Sequence, residues 1–164
     1  MVVLGIDPGI GITGYGLVRE REDGEIEAVA YGVITTPPRT EIPKRLQQIY
    51  AEVRDLVNRY QPASAAIEKL LFGRNVTTAM NVGQARGVTI LALADCGLPI
   101  GEYTPASIKE AVAGYGNAPK TQVQEMVRLL LNLEEIPRPD DAADALAVGI
   151  THLHTDRYRR MIDG

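Results

Sequence analysis

Residues 2–36 contain three strand-like runs joined by short links, and this constrains the fold more than any other feature of the chain. The run "VVLGID" (2–7) is apolar up to its final aspartate and reads as a strand buried on both faces. The runs "TGYGLVRER" (13–21) and "IEAVAYGVITT" (26–36) alternate, and Asp23-Gly24 between them is a strong two-residue hairpin signal. Strands joined so closely must be antiparallel neighbours, which predicts a three-strand meander ended by Pro37 and Pro38.

Beyond the meander the period changes. Leu46, Ile49, Tyr50, Val53, Leu56, Val57 and Tyr60 recur at helical spacing within 41–60, and Pro62 stops that helix. "ASAAIEKLL" (63–71) follows as a short apolar strand, 75–96 as a helix, 99–104 as a fifth strand and 105–113 as a short helix. A helix over 117–132 has Pro119 near its first turn, and a last helix spans 140–154 after Pro137 and Pro139. The predicted class is α/β: a five-stranded mixed sheet, a three-strand meander plus parallel strands, flanked by helices. Residues 1–164 read as one domain whose last residues form a loose tail.

Composition narrows the setting. Cys96 is the only cysteine, which excludes an intrachain disulfide and suits a reducing cytosol, so the expected location is cytoplasmic. The start "MVVLGI" lacks a basic region and stops at Asp7, too short for a signal peptide. The longest apolar run, near 88–94, lies between Arg86 and Asp95 and falls well short of a membrane span. A net charge of −4 argues mildly against a nucleic-acid partner. Local distribution argues the other way: acids gather in 19–27 and 133–144, whereas 69–94 holds only Lys69, Arg74 and Arg86 as charges.

Four acids stand in apolar surroundings: Asp7, Glu68, Asp141 and Asp144. Asp7 has two readings. It closes an Asp-Pro-Gly turn with Gly9 at positive φ, or it is a buried carboxylate that needs a cation. If the first and fourth strands are parallel neighbours, Asp7 and Glu68 emerge at one carboxyl edge, where open α/β sheets place their sites. Asp141 and Asp144 are three apart and share a helix face, with Asp140 expected as the N-cap. No Lys or Arg occurs between Pro139 and Asp156 to neutralise Asp144 within its helix. Converging carboxylates repel, and a hard divalent cation such as Mg2+ relieves that repulsion while keeping positions for water and phosphate. Two such ions about 4 Å apart suit phosphodiester displacement. His152 and His154 are two apart, not on one helix face, and read as surface or core histidines. No nucleophilic Ser-His-Asp or Cys-His arrangement is legible, and "GIDPGIG" lacks the Gly-Lys-Ser/Thr of a P-loop.

Five motifs in register, "GIDPG…TGYG", "AIEKLLFGRN", "GQARG", "TPASIKEAVAGYGNAPKTQVQ" and "DDAADALAVGITH", resemble the bacterial RuvC Holliday junction resolvases over residues 2–154. The resemblance implies a ribonuclease H-like fold. It implies that Asp7, Glu68, Asp141 and Asp144 are the catalytic and metal-holding acids, with two Mg2+ ions per site and Mn2+ as a substitute. Lys109 and Lys120 match the family's DNA-contacting lysines. Phe72 matches an aromatic that stacks on a base, while Leu71 stands where many members carry a second one. Arg74 and Arg86 are expected to track the DNA backbone.

The implied reaction is hydrolysis of DNA in paired symmetric nicks at a four-way junction, leaving 5′-phosphate and 3′-hydroxyl ends, in recombination and repair. Gly9 and Gly11 would keep the backbone low for an approaching phosphate. Symmetric cutting asks for two identical sites about a dyad, hence a homodimer. Gly83 and Gly87 would let two copies of the helix over 75–96 approach, with Val82, Val88, Ile90 and Leu91 as apolar surface. A branch-migration motor of the RuvA and RuvB type is the further implied partner. Two alternatives stand beside this. An actin-like ATPase shares the Asp7, Gly9 and Gly14 spacing but needs roughly twice the chain to clasp a nucleotide. A ribonuclease H-like nuclease on other branched or hybrid nucleic acids would use the same acids.

Overall fold

The computed structural model describes residues 1–69 and 76–164. Five strands form one sheet: β1 (Val2–Asp7), β2 (Ile12–Glu20), β3 (Ile26–Thr35), β4 (Ser64–Glu68) and β5 (Ile100–Tyr103), in the order β3-β2-β1-β4-β5. The meander is antiparallel, and β4 and β5 add in parallel beside β1. The helices are α1 (Ile42–Tyr60), α2 (Val76–Asp95), α3 (Pro105–Ala113), α4 (Lys120–Leu130) and α5 (Asp140–Asp163). Each parallel addition follows a helix because a parallel neighbour requires a crossover over one face of the sheet.

The central strands are covered on both faces, which explains the unbroken apolar character of β1. Leu4 and Ile6 pack with Ile49, Val53, Ile67 and Leu93 on the face covered by α1 and α2. Val3 and Ala66 pack with Ile108, Val127, Leu146 and Ile150 beneath α3, α4 and α5. Ala142, Ala143 and every residue from Ala145 to Leu153 of α5 are buried, so this helix is the spine of the second layer.

α5 lies unusually close to the sheet, and glycines make this possible. A Cβ on Gly5 would stand 2.2 Å from the Ala145 carbonyl oxygen, and one on Gly16 would stand 2.7 Å from Leu146. Gly149 is the matching small residue on the helix itself, with Val18 3.1 Å from the place of its absent Cβ.

Three local expectations are corrected. Pro139, not Asp140, occupies the N-cap of α5 and no side chain caps it; Asp140 is the first helical residue. Gly9 does not take a positive φ. Its turn folds so tightly that a Cβ would meet the Ile12 carbonyl oxygen at 2.3 Å, and Thr13 closes it by donating to the Gly9 carbonyl at 2.7 Å. Gly9 is therefore required by the turn, whatever approaches from outside. Finally, α5 continues past 154 to Asp163 as a polar extension, where Arg157 and Arg160 pair with Glu20 of β2 at 3.7 and 3.2 Å. Apolar periodicity ends where the helix leaves the core, so it could not mark the true end.

Candidate active site

Asp7 is the last residue of β1 and Glu68 the last of β4. The parallel register pairs Ile6 with Ile67, so the two acids leave the sheet side by side at its carboxyl edge. The start of α5 reaches the same edge through Gly14, the β2 residue paired with Asp7. A Cβ on Gly14 would stand 1.9 Å from the Asp141 carbonyl oxygen, so only glycine admits the helix here. That contact brings Asp141, and Asp144 one turn on, to the edge held by Asp7 and Glu68.

The acids feel one another. Burial, followed by the charges of Asp144, Asp141 and Glu68, pushes the Asp7 carboxyl up to about 7, with Lys120 opposing. Burial and Asp144 raise Glu68, against Lys109 and Lys120. Burial also raises Asp144, which Lys120 offsets. This is a site of mutually repelling, partly desolvated carboxylates, the environment a divalent cation would relieve. The donor set is all oxygen, as hard cations require. Among the described residues no three acids close into a ready-made cage.

Two depressions meet at Glu68 and Pro105. One, of about 250 Å3, is lined by Glu68, Lys109, Lys120, Val123 and Asp144 among others. The other, of about 260 Å3, is lined by Asp7, Pro8, Glu68, Lys69, Val82 and Arg86. Lys109 on α3 and Lys120 at the start of α4 thus line one depression with Glu68 and Asp144. Lys120 Nζ lies 3.5 Å from Asp140 and 3.6 Å from Asp144.

Arg86 reaches the second depression, but its guanidinium also donates to Glu102 of β5 at 2.6 Å, while its buried Nε has no partner among the described residues. Phe72 and Arg74, together with Leu71, lie outside the described residues. Gly83 and Gly87 lie on α2, and among the described residues nothing stands within 4 Å of the place a Gly87 Cβ would occupy. Gly87 therefore does not serve close packing on the sheet. The open apolar side chains of this helix are Val76, Met80 and Leu91, whereas Val88 and Ile90 lean on the core.

Sequence reasoning passed over Lys69 beside the acids, the Glu102 partner of Arg86, and the cross-helix pairing of Lys120 with Asp144. The first was visible as a charge next to Glu68. The others join elements distant in sequence and left no local signal.

A mixed sheet of this order, with acids ending β1 and β4 and a third and fourth acid on the helix packed across them, defines a ribonuclease H-like nuclease. The chain belongs to the RuvC family: residues 3–152 match the model described as crossover junction endodeoxyribonuclease RuvC. A crossover junction endodeoxyribonuclease RuvC from Moorella thermoacetica is 56% identical over 160 residues, covering 98% of this chain and 95% of that one. The one from Desulfitobacterium hafniense (strain DSM 10664 / DCB-2) is 54% identical over 155 residues, covering 94% and 93%. The structure titled T. thermophilus RuvC in complex with Holliday junction substrate superposes with a TM-score of 0.88 at 35% identity, covering 96% of both chains. The family is one of metal-dependent nucleases.

Proposed function

We propose that this chain is an endonuclease that resolves four-way DNA junctions by paired symmetric nicks in recombination and repair. The observation that carries the reading is the depression shared by Glu68 and Asp144 with Lys109 and Lys120, which sets metal-seeking carboxylates beside phosphate-seeking ammonium groups. Family membership supplies the substrate.

Asp7, Glu68, Asp141 and Asp144 would hold the divalent cations, a pair of Mg2+ ions for which Mn2+ can substitute. Bound there, the metal would act as a Lewis acid on the phosphate and lower the pKa of attacking water. The chain's own part is positional. β1 and β4 fix Asp7 and Glu68 on a rigid sheet edge, and the Gly14 contact fixes Asp141 and Asp144 relative to them. Lys109 and Lys120 hold the backbone phosphates over the acids, with Arg86 and Lys69 on the other flank. Phe72 and Arg74, just beyond Glu68 in the chain, are assigned to an unpaired base and the backbone on the strength of the family motif. The products are 5′-phosphate and 3′-hydroxyl ends, a nick suited to ligation.

Two sites are needed for two strands, and the open face of α2 bearing Gly83 and Gly87 is assigned to the homodimer interface. A branch-migration motor of the RuvA and RuvB type is the assigned partner, in the cytoplasm; no described helix is long and apolar enough to cross a membrane.

The test is incubation with a synthetic four-way junction, a plain duplex and an RNA–DNA hybrid, each with Mg2+ or Mn2+. Paired nicks at symmetric positions in the junction alone are expected. Equal cutting of the hybrid would transfer the chain to the alternative, a ribonuclease H-like nuclease of other substrates.

A further inference from the structure

The motif "TPASIKEAVAGYGNAPKTQVQ" (104–124) contributes Lys109 and Lys120 to the site and leaves the segment between them without a role. That segment, 114–119, joins α3 to α4 and is firmly fastened. Gly114 ends α3 at φ 95°, a conformation that favours glycine, and its N–H donates to the Glu110 carbonyl at 2.9 Å. Ala118 is buried, and its N–H reaches the Tyr115 carbonyl at 3.4 Å. Between them the link folds back along α3, so that a Cβ on Gly116 would stand 3.6 Å from Ala106. Ala106 follows Pro105, which borders both depressions. The link therefore returns to the rim of the site before the chain enters α4 at Lys120.

Tyr115 is the side chain this link displays. Of the seven tyrosines, Tyr15, Tyr50, Tyr60 and Tyr103 lean on the core, whereas Tyr31, Tyr115 and Tyr158 do not. Tyr31 borders a depression walled by Glu134 and Glu135, which a phosphate would avoid. Tyr158 lies about 21 Å from Asp144 along the axis of α5. Tyr115 is 42% exposed, and its hydroxyl donates to Gln122 Oε1 in the first turn of α4, two residues after Lys120. A bond between two exposed side chains adds little to stability, but it fixes the direction of the ring. No acid lies between Ala111 and Gln124, and Lys120 is the one charge there. An oriented, exposed aromatic beside a phosphate-seeking ammonium is a pairing that holds nucleic-acid strands. The cation takes the backbone and the ring takes a flat face.

We propose that Tyr115 is a DNA-contacting residue: its ring packs on the flat face of one nucleotide, base or deoxyribose, in the strand whose phosphates Lys120 holds. The inference rests on the nuclease reading above and adds a contact to it. The ring carries no charge and releases no counterions, so its contribution is independent of salt.

Tyr115→Ala, Tyr115→Phe and Tyr115→Trp are compared with wild type for junction dissociation constant over a salt series and for Tm. Tyr115→Ala is expected to bind the junction at least about fivefold more weakly, the lower bound for a base stacked on an aromatic ring, with Tm nearly unchanged. Its salt slope should match wild type, whereas a displaced Lys120 would reduce the slope by about 1. Tyr115→Phe keeps the ring and should recover most of the loss. The chain has no tryptophan, so Tyr115→Trp carries its only indole, whose emission should change on saturation with junction. Junctions with one abasic nucleotide, stepped along the strand, separate the two faces. With a base as the partner, the Tyr115→Ala defect vanishes at one position. With deoxyribose as the partner, it persists at every position.

Wild-type junction affinity in Tyr115→Ala overturns the proposal, and so does a loss that comes with a reduced salt slope. Unchanged indole emission at saturation overturns it as well, and this measurement decides the matter if Tyr115→Ala fails to fold. Should wild type prefer the duplex or the RNA–DNA hybrid to the junction, the substrate reading fails. The same titrations on the preferred nucleic acid then test the contact, and equal affinities of Tyr115→Ala and wild type there overturn it.

Discussion

Lys120 and Asp144 face each other between the first turns of α4 and α5, Nζ to Oδ2 at 3.6 Å, with Asp140 at 3.5 Å from the same ammonium. The groups are about half exposed, so the attraction adds little to stability. Its chemical meaning is larger. One flexible cation moderates the repulsion among the acids, and the same cation can turn outward to a phosphate.

Lysine replacement should therefore act on DNA binding rather than on the fold. Lys120→Ala and Lys109→Ala are each expected to weaken binding for all junction sequences alike and to reduce the salt slope by about 1. Filter or anisotropy titrations over a salt series read this directly. An unchanged slope in both variants removes these lysines from the DNA surface.

The acids should behave oppositely. Asp7→Asn, Glu68→Gln and Asp144→Asn are each expected to abolish cleavage while junction binding survives, because affinity comes mainly from phosphate contacts. Asp141→Asn should be severe. Asp140→Asn should be mild, since Asp140 pairs outward with Arg138 and Lys120. Persistent cutting by Asp7→Asn would contradict the assignment of the site.

Asp7 also makes the metal-free fold sensitive to pH. Its carboxyl lies at about 7 in the folded protein against about 4 in an unfolded chain. The folded state thus holds the extra proton, and stability falls as pH rises from about 4 to about 7. In a chelator, wild-type Tm should drop between pH 5 and pH 8, and Asp7→Asn should drop less, ending a few degrees higher at pH 8. Adding Mn2+ should recover wild type more than the variant. Parallel pH curves for the two proteins would show that Asp7 carries no such strain.

Gly87 offers a clean test of assembly. Among the described residues nothing lies within 4 Å of its missing Cβ, so Gly87→Leu is expected to spare the monomer while placing bulk on the open face of α2. Sedimentation should find a wild-type dimer at micromolar concentration and a weaker one in the variant. Mixed dimers of wild-type and Asp7→Asn chains should nick a junction once and seldom resolve it. A monomeric wild type that cuts both strands in one encounter would refute the dyad.

What was legible in the sequence is what the chain encodes locally. Alternation specifies the meander, although residues 21–25, with Gly24 at positive φ, make a longer link than the two-residue turn expected at Asp23-Gly24, and helical spacing specifies α1. The three-residue interval places Asp141 and Asp144 on one face of α5, and an acid at the end of each of two buried strands marks a site edge. Periodicity says which face of an element is buried, not what it is buried against. Only the packed structure brings Lys120 to Asp144, ties Arg86 to Glu102 and sets His152 between Ser64 and Tyr103. The same holds for the glycines: Gly14 and Gly16 look like turn or strand irregularities until α5 is laid across them. Close approach of two backbones is a property of both surfaces at once, and neither segment carries it alone.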